Sequence, residues 1–160
     1  TRRPNRLTMR SLLEDLQNYL TDRLSTRDVF AGIEILDRSR GDLASRIEES
    51  LNRLGRCIIV LPPSATIGTT ETPSVEFEEV RIPIVCYEKP DLALPGPSAL
   101  AMAEWVLAHL HHHTPRIDGV TSPLISAQDA ILPIDEQSPD NVIQVNLRLA
   151  GGVVGRANQS

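Results

Sequence analysis

The segment CIIVLPP, at residues 57–63, limits the possible folds of this chain more than any other segment. Its first five residues are apolar without interruption, and two prolines follow them. An apolar run this short is typical of a strand buried on both faces, and the residue before a proline favours extended backbone. We therefore predict a sheet in which residues 57–61 form a central, well-protected strand.

Three segments show the apolar spacing of amphipathic helices, at residues 7–24, 42–54 and about 98–112. Asp42 is a typical N-cap for the second helix, and Gly55 is a typical stop after it. The third segment is apolar around much of its circumference. We therefore expect the third helix to pack against two surfaces.

The segment PSVEFEEVRIPIVCYE, at residues 73–88, predicts one long and irregular strand. Apolar residues occupy odd positions before Glu78 and even positions after Glu79, and such a change of phase requires a bulge or a bend. Pro83 has no amide hydrogen for a ladder, so the strand lies at an edge of the sheet or has one side unpaired at that point. An edge strand can recruit a partner chain.

Two further strands are predicted from alternating apolar residues. Residues 29–35 alternate, with Gly32 as the site of a bulge. Residues 143–149 alternate cleanly, which predicts a strand with one face in water. Residues 64–74 are small, polar and rich in threonine, as in a loop or the tip of an extended arm.

Taken in order, these elements predict an α+β fold with a mixed, mainly antiparallel sheet packed by about three helices. We expect a single compact domain over residues 1–160, with a long hairpin arm. Its folded core covers residues 7–150, and residues 1–6 and 151–160 are expected to be flexible.

The composition argues against several classes of ligand. The 160-residue chain has a net charge of -5 and only two Phe, two Tyr and one Trp. Proteins that bind single-stranded nucleic acid use aromatic platforms beside a basic groove, so nucleic acid is not expected as a direct ligand. No apolar stretch approaches the roughly 18 residues of a membrane span, so we expect a soluble protein with no membrane partner.

The two cysteines, Cys57 and Cys86, lie inside apolar runs and are predicted to be buried free thiols. A disulfide between them stays open as an alternative if their strands are neighbours. Nothing else in the sequence indicates an oxidising compartment, so we expect a reducing cytoplasm.

All four histidines lie in the segment HLHHHTP at residues 109–115. If the third helix continued through His113, then His109, His112 and His113 would share one face and their rings would be able to converge on zinc. A catalytic zinc also needs a general base, and no H-E-x-x-H arrangement is present. Histidines at a helix C-terminus also suit its exposed carbonyls and its negative dipole end. We therefore predict a helix end with no native metal and only adventitious metal binding.

No motif of a known catalytic class is present in the sequence. It lacks a G-x-S-x-G elbow, a phosphate-binding loop and a G-x-G-x-x-G motif. Adjacent acid pairs, such as Glu48 and Glu49, point in different directions on a helix or a strand and do not form a catalytic pair. We therefore predict a protein that is not an enzyme, with no catalytic residues and no cofactor.

The order of the elements, with VRIPIVCYEKP leading into SALAMAEWVLAHLHHHTP, resembles the tail terminator, or tail completion, proteins of long-tailed bacteriophages and their prophage relatives. The resemblance extends over about residues 7–150. The four-histidine run and the many prolines at residues 90–97 depart from the family pattern. The matching features are a strand ending in Glu88 and Pro90 and a helix with Ala103, Glu104 and Leu110, followed by His111.

The resemblance implies a structural subunit that forms a ring, a hexamer in the usual case, which caps the tail tube, ends its polymerisation and joins the tail to the head. The implied partners are further copies of itself, the tail tube protein and the head-tail connector protein. DNA would pass through the ring without specific binding. The implied location is the tail or neck of a virion that is assembled in the host cytoplasm.

The family has no catalytic residues, so the resemblance implies only contact surfaces. The long strand and the loop before it would reach a neighbouring subunit or the tube. The residues expected at this oligomer or tube interface are Thr69, Thr70, Val75, Phe77, Glu79 and Arg81.

Three other functions are compatible with the residues. A head-closure or other neck protein would share ring assembly and contact different partners. A small metal-dependent hydrolase would use His109, His112 and His113. A peptide-binding adaptor would use an exposed strand edge, and it predicts a monomer or a dimer in place of a ring.

Overall fold

Three helices and seven strands occupy residues 11–37, 41–68, 76–135 and 137–154, the ranges that the structure, a computed structural model, describes. The helices are α1 (Leu12–Ser25), α2 (Leu43–Leu54) and α3 (Ala99–Leu110). The strands are β1 (Glu34–Leu36), β2 (Arg56–Val60), β3 (Ser64–Ile67), β4 (Glu76–Glu88), β5 (Leu124–Ile134), β6 (Asn141–Leu149) and β7 (Val153–Val154). Short 3-10 turns lie at Asp28–Phe30 and Pro90–Leu92.

All of these strands belong to one sheet. The order is β1-β2-β4-β6-β5, and β3 and β7 each pair with β4. β1 pairs with β2 in parallel, and the other described pairs are antiparallel. The predicted α+β fold, with a mixed and mainly antiparallel sheet in one compact domain, is confirmed.

β2 lies between two helical layers, and each of its residues is buried. Ile58 and Val60 belong to a large aliphatic core under α1 and α3, whereas Cys57 and Ile59 belong to a smaller core under α2. Because helices cover β2 on both faces, its sequence is apolar without alternation. The predicted central strand is confirmed.

Polar signals in the sequence define the helix ends. Ser11, Asp42 and Ser98 each accept a backbone hydrogen bond in the first turn of α1, α2 and α3. α2 ends at Gly55, whose φ of 79° lies in the left-handed region that glycine adopts readily. Residues 7–10 of the first predicted helix lie outside the described residues. Each helix in the described ranges is too short or too polar to span a bilayer.

β4 is an interior strand, so the prediction that it lies at an edge is wrong. It pairs with β2 and β3 on one side and with β6 and β7 on the other. The Leu61 N–H donates to the Pro83 carbonyl at 3.1 Å, at the point where β2 ends, and Pro83 has no N–H to return. The alternative prediction, one side unpaired at Pro83, is therefore correct.

The predicted bulge in β4 lies at Glu78. Ile67 pairs with Phe77 and Thr66 pairs with Glu79, so Glu78 has no partner on β3. Phe77 packs against the large core, as do the even-numbered apolar residues after the bulge. Because of the bulge, the apolar residues at odd positions before Glu78 and those at even positions after it face the same core.

The chain from residue 29 to residue 35 does not form the single strand that its alternation predicts. Phe30 is buried within a 3-10 turn and packs edge-on against Trp105 of α3, which takes this segment out of the sheet. Gly32, with a φ of 81°, forms a turn in place of the predicted bulge, and β1 covers only Glu34–Leu36. Packing with α3 thus overrides the local pattern.

Short strands lie in two segments for which the sequence predicts a loop or a flexible tail. Residues 64–67, within the predicted loop or arm, form β3. Residues 153–154, within the predicted flexible tail, pair with β4 as β7. Residues 69–74 and 155–160 lie outside the described residues.

Cys57 and Cys86 are buried free thiols, as predicted. Their strands are neighbours, but Cys57 belongs to the core under α2 and Cys86 to the core under α1 and α3. Their side chains therefore lie on opposite faces of the sheet, a geometry that a disulfide does not bridge. Burial raises the pKa of both thiols to about 12, which keeps them protonated at neutral pH.

Candidate functional site

A three-stranded arm extends the sheet beyond the end of β2. It consists of β3, residues 76–81 of β4, and β7, and it is called the arm below. Phe77 has a partner on each side, Ile67 in β3 and Val153 in β7. Among the described residues, the arm carries the two most exposed large apolar side chains, Ile67 at 71% and Val154 at 56%. Exposed apolar side chains beside open strand edges are typical of protein contact surfaces.

Acidic side chains cluster at the bulge of the arm. Glu78 and Glu79 are exposed, and Glu76 is half-buried. Glu79 forms an ion pair with Arg81 at 3.2 Å, but both side chains are largely exposed, so the pair contributes little to stability. Within the described ranges, Glu76 and Glu78 have no ion-pair partner.

Half of the residues predicted for the oligomer or tube interface lie in the arm. Phe77 is on the face toward the large core, whereas Glu79 and Arg81 alternate with buried residues and lie on the opposite face. The structure therefore places these residues in one strand but on two faces. Thr69, Thr70 and Val75 lie outside the described residues.

Gly152 lets β7 approach β4 closely. A Cβ at this position would lie 2.9 Å from the Phe77 carbonyl oxygen, which is a backbone atom held in the sheet. Gly152→Ala is therefore expected to detach β7 and to accelerate hydrogen exchange of arm amides about 10-fold or more. Loss of Val153 burial is expected to lower the free energy of unfolding by about 1–2 kcal/mol.

Hydrogen exchange and urea unfolding of the same samples check this prediction. The matched control is Gly151→Ala, whose Cβ would meet the nearest atom, Ser122 Cβ, at an ordinary 3.4 Å. Equal exchange rates in the two variants would contradict the close-approach explanation.

α3 ends at Leu110, so the helical spacing proposed for His109, His112 and His113 does not continue to the last two residues. His112 has a φ of 66°, and its N–H donates to the Leu124 carbonyl at 2.7 Å. The Leu124 N–H in turn donates to the His113 carbonyl at 2.8 Å. The histidine run is therefore a helix end joined to the start of β5.

The histidine rings have different neighbours. His109 Nδ1 donates to the Trp105 carbonyl at 2.8 Å, and its ring packs edge-on against Phe30. His113 Nε2 forms a hydrogen bond with the Tyr19 hydroxyl at 2.7 Å. The structure thus does not bring together the three histidines considered as zinc ligands, and residues 11–37, 41–68, 76–135 and 137–154 contain no group of three His, Cys, Asp or Glu side chains arranged for a metal.

Three arginines converge beside the Tyr19–His113 pair. They line an open surface pocket of about 370 Å³, called the arginine pocket below. Its lining residues are Tyr19, Asp22, Arg23, Thr26, Arg27 and Arg116. The sequence does not reveal this site, because Arg116 is far along the chain from Arg23 and Arg27.

The arginine pocket has unused donors and an excess of positive charge. The Nε atoms of Arg23 and Arg27 are buried and have no hydrogen-bond partner. A buried donor without an acceptor costs roughly 1–3 kcal/mol. Burial lowers the pKa of His113, and the charges of Arg23, Arg116 and Arg27 lower it further. An anion in the pocket would supply acceptors and offset the positive charge.

Arg56 at the start of β2 is buried and organises the proline-rich connection before α3. Its guanidinium donates to the carbonyls of Leu54, Leu94, Pro95 and Pro97 at 2.6–3.1 Å. Gly96 has a φ of 146° and lies directly against this group. The role of Arg56 is therefore structural, and it positions the segment that leads into α3.

The described elements together define an α+β domain with a three-stranded arm and a cationic surface pocket. The fold is similar to that of a chain in the virion of a native gene transfer agent (GTA) particle, with a TM-score of 0.58 and 16% sequence identity. The match covers 91% of this chain and 98% of that chain, so the likeness concerns the whole fold. No family model and no curated protein sequence matches the chain.

Proposed function

We propose that this protein is a structural subunit of a phage-like virion, of the tail terminator type. In this proposal it forms a homo-oligomeric ring, a hexamer, on the end of the tail tube. The ring ends tube polymerisation and presents a surface to the head-tail connector protein, while DNA passes through without specific binding. The observation that carries the proposal is the likeness of the whole fold to a chain of a phage-like particle.

The arm supports a role in assembly. Beyond the end of β2 it consists of short strands, and no other described strand pairs with the outer edges of β3 and β7. Ile67 and Val154 expose apolar surface there, which a contact with another protein would cover. A subunit that places such an arm on its neighbour makes a head-to-tail contact, and head-to-tail contacts close into rings when the rotation allows it.

The competing functions have less support. A hydrolase that uses His109, His112 and His113 requires rings that converge, and these three have separate neighbours. A peptide adaptor requires a regular free strand edge. Among the described strands β4 has none, the free edges of β1, β3 and β7 are only two to four residues long, and the outer strand β5 is interrupted by a register shift between Ser126 and Ile131. A neck protein other than the terminator shares the ring and differs only in its partners.

The test is the mass of the untagged protein by light scattering, alone and with the tube protein encoded beside it. We expect a closed ring of 17.6 kDa subunits, either alone or on the tube, and tubes of limited length by electron microscopy. Ile67→Asp in the arm is expected to reduce capping, because it places a charge in an apolar contact.

The matched control is Leu100→Asp, which changes another exposed apolar residue outside the arm, on α3. It is expected to leave capping intact. A protein that stays monomeric and leaves tube growth unchanged would rule out the terminator function. A ring that ignores the tube but binds the connector would indicate another neck protein.

A further inference from the structure

We propose that the arginine pocket of one subunit binds the acidic segment of the arm, Glu76–Glu79, from the next copy of this chain. The ligand class is the carboxylate of a glutamate side chain. The inference rests on the proposed ring, because it names the contact that joins adjacent subunits. It identifies the surface of the neighbouring subunit that the arm contacts.

The pocket provides the donors for this contact. Arg23 lies in the last turn of α1, Arg27 lies in extended backbone just after the helix, and Arg116 lines the same pocket from the segment after α3. The buried Nε atoms of Arg23 and Arg27 lack acceptors. A guanidinium binds a carboxylate through two parallel N–H donors, so incoming glutamates would satisfy these groups once the side chains turn toward them. Among the described residues, Asp22 is the only acidic one that lines the pocket, against three arginines, so positive charge is in excess there.

The arm provides the matching acceptors. Glu78 and Glu79 are exposed at the bulge, and the bulge leaves Glu78 without a strand partner on β3. Like charges crowded at a strand end repel one another, and a cationic pocket removes this repulsion. No ion pair joins the arm to the arginine pocket within one chain, in the ranges that the structure covers.

The arrangement suits a head-to-tail ring. Each copy has one arm and one pocket, so each subunit donates one acidic segment and accepts another, and a closed ring leaves neither unpaired. The pocket is less suited to duplex DNA. A duplex requires a track of basic groups along its phosphates, whereas this site is one small, open pocket with three arginines in a chain with a net charge of -5.

Charge reversal on either side tests the contact in the full-length chain. The arm variant is Glu78→Arg/Glu79→Arg, and the pocket variant is Arg23→Glu/Arg27→Glu. Each is expected to raise the protein concentration that gives half-maximal ring formation by about 30-fold or more. Light scattering measures this, under whichever condition the unchanged protein forms its ring.

The decisive measurement is the variant that carries both reversals. Because the swapped charges again attract, it is expected to recover ring formation to within about 3-fold of the unchanged protein. The matched control for the arm variant is Glu48→Arg/Glu49→Arg. It changes the net charge by the same amount as the arm variant, on an exposed part of α2, and is expected to form rings normally. If circular dichroism shows that the pocket variant is unfolded, Arg23→Gln/Arg27→Gln replaces it, with the same expected loss.

Several outcomes would overturn the inference. Rings that form normally in both single-side variants would remove this contact and leave the proposed ring function standing. A doubly reversed variant that stays dissociated would show that the two sites do not meet. If the pocket variant forms rings but no longer binds duplex DNA that the unchanged protein binds, then the pocket serves nucleic acid. A chain that never forms a ring, alone or on the tube, would remove both proposals.

Discussion

Replacement of Arg56 by alanine is expected to lower the free energy of unfolding by about 3–5 kcal/mol. For a domain of this size, that corresponds to a melting temperature lower by roughly 10 °C. Arg56 is 6% exposed, and its guanidinium makes four hydrogen bonds to backbone carbonyls. Hydrogen bonds from a charged group contribute about 1.5–3 kcal/mol each, and the cost of burying the charge offsets part of their sum.

The proline content of the connection explains why one arginine has this large effect. Pro90, Pro95 and Pro97 have no N–H, so this segment cannot satisfy its own carbonyls by forming a regular ladder or helix. Arg56 provides the missing donors in one rigid group. Without it, the carbonyls of Leu94, Pro95 and Pro97 lose these hydrogen bonds and the approach to α3 loses its fixed shape.

Chemical unfolding in urea measures the effect, with α3 followed by the fluorescence of Trp105. The matched control is Arg53→Ala, three residues earlier in the chain. Arg53 forms an exposed ion pair with Glu34, so its loss is expected to cost at most about 1 kcal/mol. If Arg56→Ala and Arg53→Ala lower the free energy of unfolding by similar amounts, this would contradict the role assigned to the buried guanidinium.

Much of the sheet could be predicted because its strands have distinct apolar patterns. The continuous run at residues 57–61 identified a strand covered on both faces, and the change of phase at Glu78 identified a bulge. Both features depend on which side chains must be buried, and this information is local. The edge position of β4 was wrong because pairing is not local. Pro83 shows that one donor is missing, but not that β2 ends beside it and β3 begins further on.

The candidate sites were harder to predict, because their residues meet only in three dimensions. His109, His112 and His113 lie within five residues of the sequence, and the structure separates their rings. Arg23 and Arg116 are distant in sequence, and the structure places them in one cavity. Arg56 gave no sequence signal, since a single arginine before a strand is normally exposed. Its burial follows from the proline-rich connection that folds over it.

Gly96→Ala is expected to lower the free energy of unfolding by roughly 2–4 kcal/mol. Gly96 has a φ of 146°, a conformation that alanine rarely adopts, and a Cβ there would lie 2.1 Å from Arg56 Nη1. Two separate effects therefore add. The backbone strain is intrinsic to alanine, and the clash exists only while the Arg56 side chain fills the space.

A double-mutant cycle separates these two effects. In the Arg56→Ala background the clash is absent, so Gly96→Ala is expected to cost about 1–2 kcal/mol less than in the unchanged protein. The matched control is Gly119→Ala, where φ is 94° and no atom lies within 4 Å of the added Cβ. Its cost is expected to be the same with or without Arg56. If Gly96→Ala lowers the free energy of unfolding by the same amount with and without Arg56, then backbone strain alone explains the effect of this substitution. In that case the Arg56 guanidinium does not require a glycine at position 96.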